Sequence, residues 1–360
     1  ANTVALTVSA DTVLFGPGTV RLDGFSDVHV TGRQGIGFKG QGALLTDTDT
    51  TLAAPLLSTL SYTQSPVAEI DAGAAGSAAF LFEAANFDVN TGAGMLTLAH
   101  SPPNEGGTAP VIEDGALFMS AAGMMVETDI AVGSGRLELA TTAGALTLGD
   151  VTLSAVGQGT KGGGAITLSS DGDLRIAETA TLDVSSELAA NAGRIELSAI
   201  AGDLNAAGRL VGNNGQGHGG ELTVDAATIT GLSNLLTKVE TGGFDSRIDL
   251  RLRQGNLEVG ADDRIAAETI TLVSDQGDVT LRGELMAAGE TDGGTIAIAA
   301  GNALRLHEGS RIQVTGGAAD GSPGEVRLSA ADDWIRMDEG ATIDLSSAGW
   351  GDGGRLYLRA

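Results

Sequence analysis

The sequence predicts an all-β protein, a right-handed parallel β-helix whose three-stranded coils each take about 22–30 residues. Three observations support this prediction. A short phrase, two aliphatic residues separated by one other residue, recurs nine times between residues 137 and 358. Further aliphatic pairs follow most of these phrases, and alternation with period two is typical of a strand with one buried face. Glycine makes up 55 of the 360 residues, which disfavours helices and suits tight turns.

The recurring phrase marks the first strand of each coil. The equivalent residues are Leu137, Ile166, Ile195, Leu222, Ile248, Ile270, Ile296, Val326 and Leu356. The residue two places later is aliphatic in every case, and glycine stands two places earlier in seven of the nine. The intervals of 22 to 30 residues match one coil of a stacked solenoid.

Two more strands complete each coil. Leu174 and Ile176 are an example of the second aliphatic pair, and Leu182 and Val184 of the third. Gly, Asp, Asn and Ser separate the pairs, and these residues favour turns. Coils that pair in parallel lie roughly 4.8 Å apart, so about eight of them form a rod segment on the order of 40 Å long.

Three other fold classes fit the pattern less well. Amphipathic helices need apolar residues three or four apart rather than two. A β-sandwich or β-barrel would alternate in the same way, but it would not restart with one phrase at near-constant intervals. Collagen and low-complexity chains are excluded by the missing Gly-x-y period and by the 42% hydrophobic content.

The chain divides into two regions. Residues 116–360 are predicted to form the regular β-helix, and residues 1–115 irregular coils with long excursions or a small lobe. The alternation breaks between Leu44 and Asp114, and six of the seven prolines lie at or before Pro110. Excursions carry function more often than coils do, so this region is the first place where we expect a recognition surface.

The net charge is −26 and the sequence pI is about 4.2, which argues against binding of nucleic acid or of anionic membranes. No Lys or Arg occurs between Lys39 and Arg136, whereas eleven Asp and Glu residues do. A soluble, self-repelling surface is the simplest interpretation, and binding of a divalent cation or adhesion through the acidic surface is the alternative.

Several features agree with an exported protein. Cysteine is absent, and no apolar run approaches the roughly 18 residues of a membrane span. The chain begins at Ala1 without an initiator methionine, as expected of a mature product or a fragment. Residues 355–360 would start a new coil without a cap. We therefore expect Ala360 to be an internal point of a longer solenoid, or an edge that self-associates along the rod axis.

The sequence offers no catalytic constellation. No Walker loop, HExxH, GxSxG or dinucleotide fingerprint occurs, and the four histidines lie far apart. β-Helix enzymes that cut acidic polysaccharides stack carboxylates on adjacent coils. Four places before the first core residue, Asp292 and Asp352 are separated by a coil that carries Ser322. We therefore predict that the protein is not an enzyme.

Calcium is the only cofactor that the sequence leaves open. Asp245, Asp292 and Asp352 lie beside glycines and are candidate ligands, although the tandem Gly-Gly-x-Gly-x-Asp repeat does not occur. Trp334 and Trp350 are candidate ligand contacts. Trp334 precedes Ile335, so alternation turns its ring outward, where it could stack on a sugar or pack under a loop.

Phrases such as Gly164-Ala-Ile-Thr-Leu168 and Gly193-Arg-Ile-Glu-Leu197 resemble the repeats of the filamentous haemagglutinin family, large bacterial exoproteins exported by two-partner secretion. The resemblance covers roughly residues 116–360. It implies a secreted or surface-tethered rod outside a Gram-negative outer membrane, with an outer-membrane transporter as its partner during export. The family's Asn-Pro-Asn-Gly-type secretion motif is missing, which places this segment later in such a rod.

The function implied by the resemblance is non-enzymatic adhesion, aggregation or biofilm formation. The partners would be a host or neighbouring-cell surface, a glycan or a matrix. No family site residue carries over. Two alternatives stay open, a structural fibre or sheath subunit that assembles through its coil edges, and a polysaccharide-degrading β-helix enzyme.

Overall fold

The computed structural model describes residues 4–64, 81–103, 111–188, 190–215, 217–289, 293–315, 324–346 and 353–360. Within these residues the chain is all-β apart from one short helix, and all but one of the pairings between strands are parallel. The predicted fold class is confirmed at this level, because large parallel sheets with short connections are consistent with a β-solenoid.

The first part of the chain, up to residue 230, contains the following strands: β1 Leu6–Phe15, β2 Gly18–Leu22, β3 Asp27–Lys39, β4 Gln41–Thr46, β5 Asp49–Ala54, β6 Leu56–Leu60, β7 Tyr62–Gln64, β8 Leu81–Glu83, β9 Ala85–Asn90, β10 Met95–His100, β11 Gly115–Ala121, β12 Gly123–Val126, β13 Asp129–Ala131, β14 Arg136–Thr141, β15 Leu146–Leu148, β16 Thr152–Ser154, β17 Ala165–Ser169, β18 Leu174–Ile176, β19 Thr181–Asp183, β20 Arg194–Ala206, β21 Arg209–Val211 and β22 Glu221–Thr230.

The second part begins with the helix α1, Leu232–Thr241. It continues with these strands: β23 Arg247–Leu252, β24 Leu257–Val259, β25 Arg264–Ala266, β26 Thr269–Ser274, β27 Val279–Leu281, β28 Glu284–Ala288, β29 Thr295–Ala300, β30 Leu304–Leu306, β31 Arg311–Thr315, β32 Glu325–Ala330, β33 Ile335–Met337, β34 Thr342–Asp344 and β35 Arg355–Arg359.

The parallel strands form three stacks. The first stack is unbroken and runs β2–β4–β9–β11–β14–β17–β20–β22–β23–β26–β29–β32–β35. The second stack runs from β1 to β22 and, separately, β24–β27–β30–β33. The third runs from β1 to β21 and, separately, β25–β28–β31–β34.

The residues of the recurring phrase lie opposite one another in the first stack. Leu137 pairs with Ile166, Ile166 with Ile195, and the same register continues strand by strand to Leu356. Both aliphatic residues of each phrase are buried up to β32. In the last described strand, β35, Leu356 and Leu358 are 42% and 61% exposed.

The core is a continuous column of Leu, Ile and Val between the three stacks. Burial of one such side chain contributes about 1.5–3 kcal/mol, and the column repeats this contribution at every strand. Near the amino terminus the column also contains phenylalanines. The ring of Phe38 lies 5.5 Å from that of Phe15 and 5.1 Å from that of Phe87, centroid to centroid.

The region up to residue 115 continues the same stacks where the structure describes it. Strands β5, β6, β9 and β10 all pair in parallel with neighbours in the stacks. The antiparallel pair β7–β8 lies outside the three stacks. In the third stack β6 pairs directly with β13. Whether residues 1–115 are a separate region of the protein stays a prediction.

The preference for strands over helices is wrong at one place. Residues 232–241 form α1, which buries Leu235, Leu236 and Val239. Together with Leu232 these side chains have the spacing i, i+3, i+4, i+7 of a helix with one apolar face. The helix stands where the third stack would otherwise continue, between β21 and β25.

Candidate functional site

A groove of about 670 Å³ runs along the corner where the third stack turns into the first. It crosses six successive strands of the first stack, from β9 to β22, and it is open to solvent. At roughly 4.8 Å per strand its floor is about 24 Å long. The residues that line it are Ala84, Ala85, Asp114, Gly115, Ala116, Ser134, Gly135, Arg136, Gly163, Gly164, Ala165, Ala192, Gly193, Arg194 and Glu221.

The floor of the groove is main chain because neighbouring coils approach too closely for side chains. A Cβ atom on Gly135 would lie 1.8 Å from the carbonyl oxygen of Gly115. A Cβ atom on Gly193 would lie 1.9 Å from that of Gly164. Gly135 and Gly193 therefore have a packing reason, because the close approach of neighbouring coils leaves no room for a Cβ atom.

Charged side chains form the wall of the groove on the first-stack side. Arg136 and Arg194 occupy the same register position two strands apart, with Ala165 between them, and Glu221 follows on the next strand. The Arg136 guanidinium binds Glu138 at 2.8 Å and lies 5.6 Å from the centre of the Phe118 ring. These contacts hold Arg136 along the outer face of the sheet.

Asp114 lies at the opposite wall and is neutralised. Its carboxylate accepts a hydrogen bond from the Ser134 N–H at 2.8 Å and another from the Lys161 ammonium. Burial alone would raise the pKa of Asp114, but these hydrogen bonds and the Lys161 charge outweigh it and lower the pKa. The fold thus brings Lys161 to a stretch of sequence that contains no cation of its own.

Glu113, the residue before Asp114, binds residues 111–114 to the end of β6. The hydroxyl and the N–H of Ser61 both donate to its carboxylate, and its own N–H donates to the Thr59 carbonyl at 3.0 Å. The hydrogen bonds from Ser61 lower the pKa of Glu113. This attachment sets the position of Asp114 at the end of the groove.

The calcium candidates are only partly within the described residues. Asp245 is described, and its carboxylate accepts the Gly219 N–H at 2.6 Å. Asp292 and Asp352 lie outside the described residues. Among the described residues no group of three or more His, Asp or Glu side chains is arranged to hold a metal ion. Calcium binding stays a prediction for the three aspartates.

Many carboxylates serve the main chain of the next coil. Asp173 accepts the Asp203 N–H at 3.0 Å, and Asp278 accepts the Ala303 N–H at 3.1 Å. The side-chain oxygen of Asn256 accepts the Asp278 N–H at 2.9 Å. These Asx side chains stand at the entry to the second stack, where they satisfy backbone donors at the turns. Part of the acidic composition therefore has a structural role.

One of the two candidate tryptophans lies within the described residues. Trp334 lies just before β33 and is 42% exposed, on the outside of the solenoid as alternation predicted. Its carbonyl accepts the Leu304 N–H at 3.0 Å. Trp350 lies outside the described residues. Contact of either ring with a ligand stays a prediction.

Sequence reasoning missed a charged cluster around His307 on the outside of the second stack. Arg282 donates to His307 Nδ1 at 3.1 Å, and Arg305 binds Asp338 at 2.8 Å. Asp338 also lies 3.5 Å from His307 Nδ1. Burial and then the charges of Arg282 and Arg305 lower the pKa of His307. Arg282 lies 23 residues before Arg305, and Asp338 lies 33 residues after it, so the register of the strands brings these three together.

Comparison of the chain with models of protein families, with curated proteins and with solved structures finds no match. The resemblance to filamentous haemagglutinin repeats accordingly rests on the sequence phrases alone. No helix among the described residues has the length and apolar character needed to span a bilayer.

Proposed function

We propose that this chain is a non-enzymatic rod segment of a secreted or cell-surface exoprotein that acts in adhesion, aggregation or biofilm formation. The observation that supports the proposal best is the unbroken first stack, thirteen strands joined by twelve parallel pairings across the described residues. Twelve steps of roughly 4.8 Å give a rod about 58 Å long. A stiff, extended body is suited to holding a contact surface away from a cell.

The same proposal includes the finer architecture and the location. The three stacks form right-handed, three-stranded coils, because strand-to-strand crossovers between parallel strands are nearly always right-handed. The rod lies outside a Gram-negative outer membrane and meets a transporter during export, as the sequence phrases imply. The charge of −26 favours a soluble, self-repelling surface over one that collapses onto nucleic acid or anionic lipid.

Within this proposal the groove is the contact surface, and its ligand is an extended glycan that carries acidic groups. Arg136 and Arg194 lie two strands apart, roughly 9.6 Å, along a floor without side chains. Lys161 cancels the Asp114 carboxylate at the far wall. Arg136 and Arg194 would contact acidic groups of a linear chain, with Glu138 and Glu221 beside them.

Location is tested by labelling intact producing cells with an antibody against this segment and imaging them by electron microscopy. The proposal expects label on fibres that project from or wrap the cell. Soluble antigen with bare cells would contradict the surface rod and shift support to a secreted enzyme.

Glycan contact is tested by biolayer interferometry with a linear polyuronate and, for comparison, a neutral glycan of equal length. Arg194→Ala should weaken polyuronate binding about tenfold, the effect of one lost charge-assisted hydrogen bond. Arg209→Ala is the matched control, because Arg209 is also exposed but begins β21 at another corner. Equal affinity of both variants would exclude the groove as the contact surface.

A further inference from the structure

The coil that contains α1 is built differently from its neighbours. The helix buries Leu235, Leu236 and Val239 in the core in place of a third-stack strand. The ring of Phe244 fills the space behind the helix and is 2% exposed. A Cβ atom on Gly212 would lie 2.8 Å from that ring, so the coil leaves no room for a larger residue there.

Strand pairing is interrupted on both sides of this coil. In the second stack, residues 228–230 of β22 pair back to β20, and β24 pairs forward to β27. In the third stack, β21 pairs back to β19 and β25 pairs forward to β28. Among the described residues no pairing joins β22 to β24 or β21 to β25. Within the described part of the chain, strand pairing crosses this coil only in the first stack, through the six register pairs between β22 and β23.

The contacts that replace the missing pairings come from side chains and turns, beginning with the buried apolar face of α1. Glu240 of the helix binds Arg264 at 3.1 Å, and the Ser233 hydroxyl donates to Asp263 at 2.8 Å. The Gly212 N–H donates to the Gly242 carbonyl at 2.7 Å. Exposed ion pairs and hydrogen bonds of this kind contribute little compared with two strands of backbone pairing.

In a solenoid each coil is stabilised mainly by its neighbours, so cooperativity extends only as far as the contacts between adjacent coils are strong. We infer that α1 marks a junction that divides the protein into two units which unfold independently, residues 4–230 and residues 247–359. Each unit keeps three stacks of its own, and among the described residues strand pairing links the two units through the first stack alone. This inference does not depend on the proposed function.

The test is native-state hydrogen exchange in sub-denaturing urea, read by mass spectrometry. Leu168→Ala removes a fully buried side chain from β17. Strand β4 lies four strands before β17 in the first stack and belongs to the same unit. Strand β26 lies four strands after β17, across the junction. Protection in β4 should fall about 100-fold, and protection in β26 should not change.

The mirror variant is Ile298→Ala in β29, a side chain that is 1% exposed. It should lower protection in β26 and leave β20, across the junction, unchanged. Equal responses of β4 and β26 to Leu168→Ala, whether both fall or neither does, would overturn the inference. If Leu168→Ala does not fold, Leu168→Val makes the same comparison with a smaller loss of volume.

Discussion

The glycine before each first strand gives the sharpest test of how the coils pack. Gly193 lies where two coils meet, and an added Cβ atom would come within 1.9 Å of the Gly164 carbonyl oxygen and 2.7 Å of the Gly163 carbonyl carbon. That carbonyl oxygen also accepts the Arg194 N–H at 3.0 Å. Gly193→Ala must therefore separate the coils by more than 1 Å and lengthen a backbone hydrogen bond.

We expect Gly193→Ala to lower the free energy of unfolding by about 3 kcal/mol, the upper range for overpacking plus one weakened hydrogen bond. Gly149→Ala is the control, because a Cβ atom there would meet its nearest atom, the Val126 carbonyl oxygen, at 3.6 Å. That variant should change stability by less than about 1 kcal/mol. Urea unfolding followed by far-ultraviolet circular dichroism measures both. Equal stability of the two variants would refute close approach as the reason for the glycine.

Three further predictions follow from the core, from the charged cluster and from the groove. Leu197→Asp places a charge at a fully buried site and should cost more than about 4 kcal/mol in urea unfolding, whereas Ser169→Asp, on the outer face, should cost less than about 1 kcal/mol. The pKa of His307 is lowered in the folded protein, so the unfolded state binds a proton at this residue more readily. The free energy of unfolding should therefore fall as the pH drops below about 6.5, and His307→Gln should reduce that fall. An unchanged dependence of stability on pH in the variant would contradict this role of His307. Lys161→Gln removes the charge that lowers the pKa of Asp114 and leaves burial as the dominant influence, so that pKa should rise in a carboxyl NMR titration. An unchanged pKa would show that the ion pair with Lys161 does not lower it.

The register of the first stack could be read from sequence because its signal is local. Alternation with period two identifies the buried face, and the glycine two places earlier identifies the corner. Leu137 and Ile166 were aligned by these two features, and they lie opposite each other. The same alignment failed to show the helix. Residues 232–241 fit inside an interval of 26 residues between Leu222 and Ile248, so the spacing of the repeats did not change.

The groove and the charged cluster could not be found in the same way because both depend on separate coils. The floor of the groove is main chain of neighbouring strands, and in the sequence its glycines are typical only of turns. The cluster of Arg282, His307 and Asp338 joins three coils. Aligning the strands in columns, with Arg305 between Thr280 and Arg336, would have shown two cations on neighbouring strands of one outer face.

A pair of spin labels measures whether the first stack extends as one continuous rod. The protein has no cysteine, so Ser120→Cys in β11 and Ala299→Cys in β29 provide two unique labelling sites. They occupy one outer column of the first stack, seven strands apart. Pulsed electron paramagnetic resonance should give a single distance distribution centred near 34 Å, seven steps of roughly 4.8 Å. A distribution centred below about 20 Å, as in a compact globule, would contradict the rod.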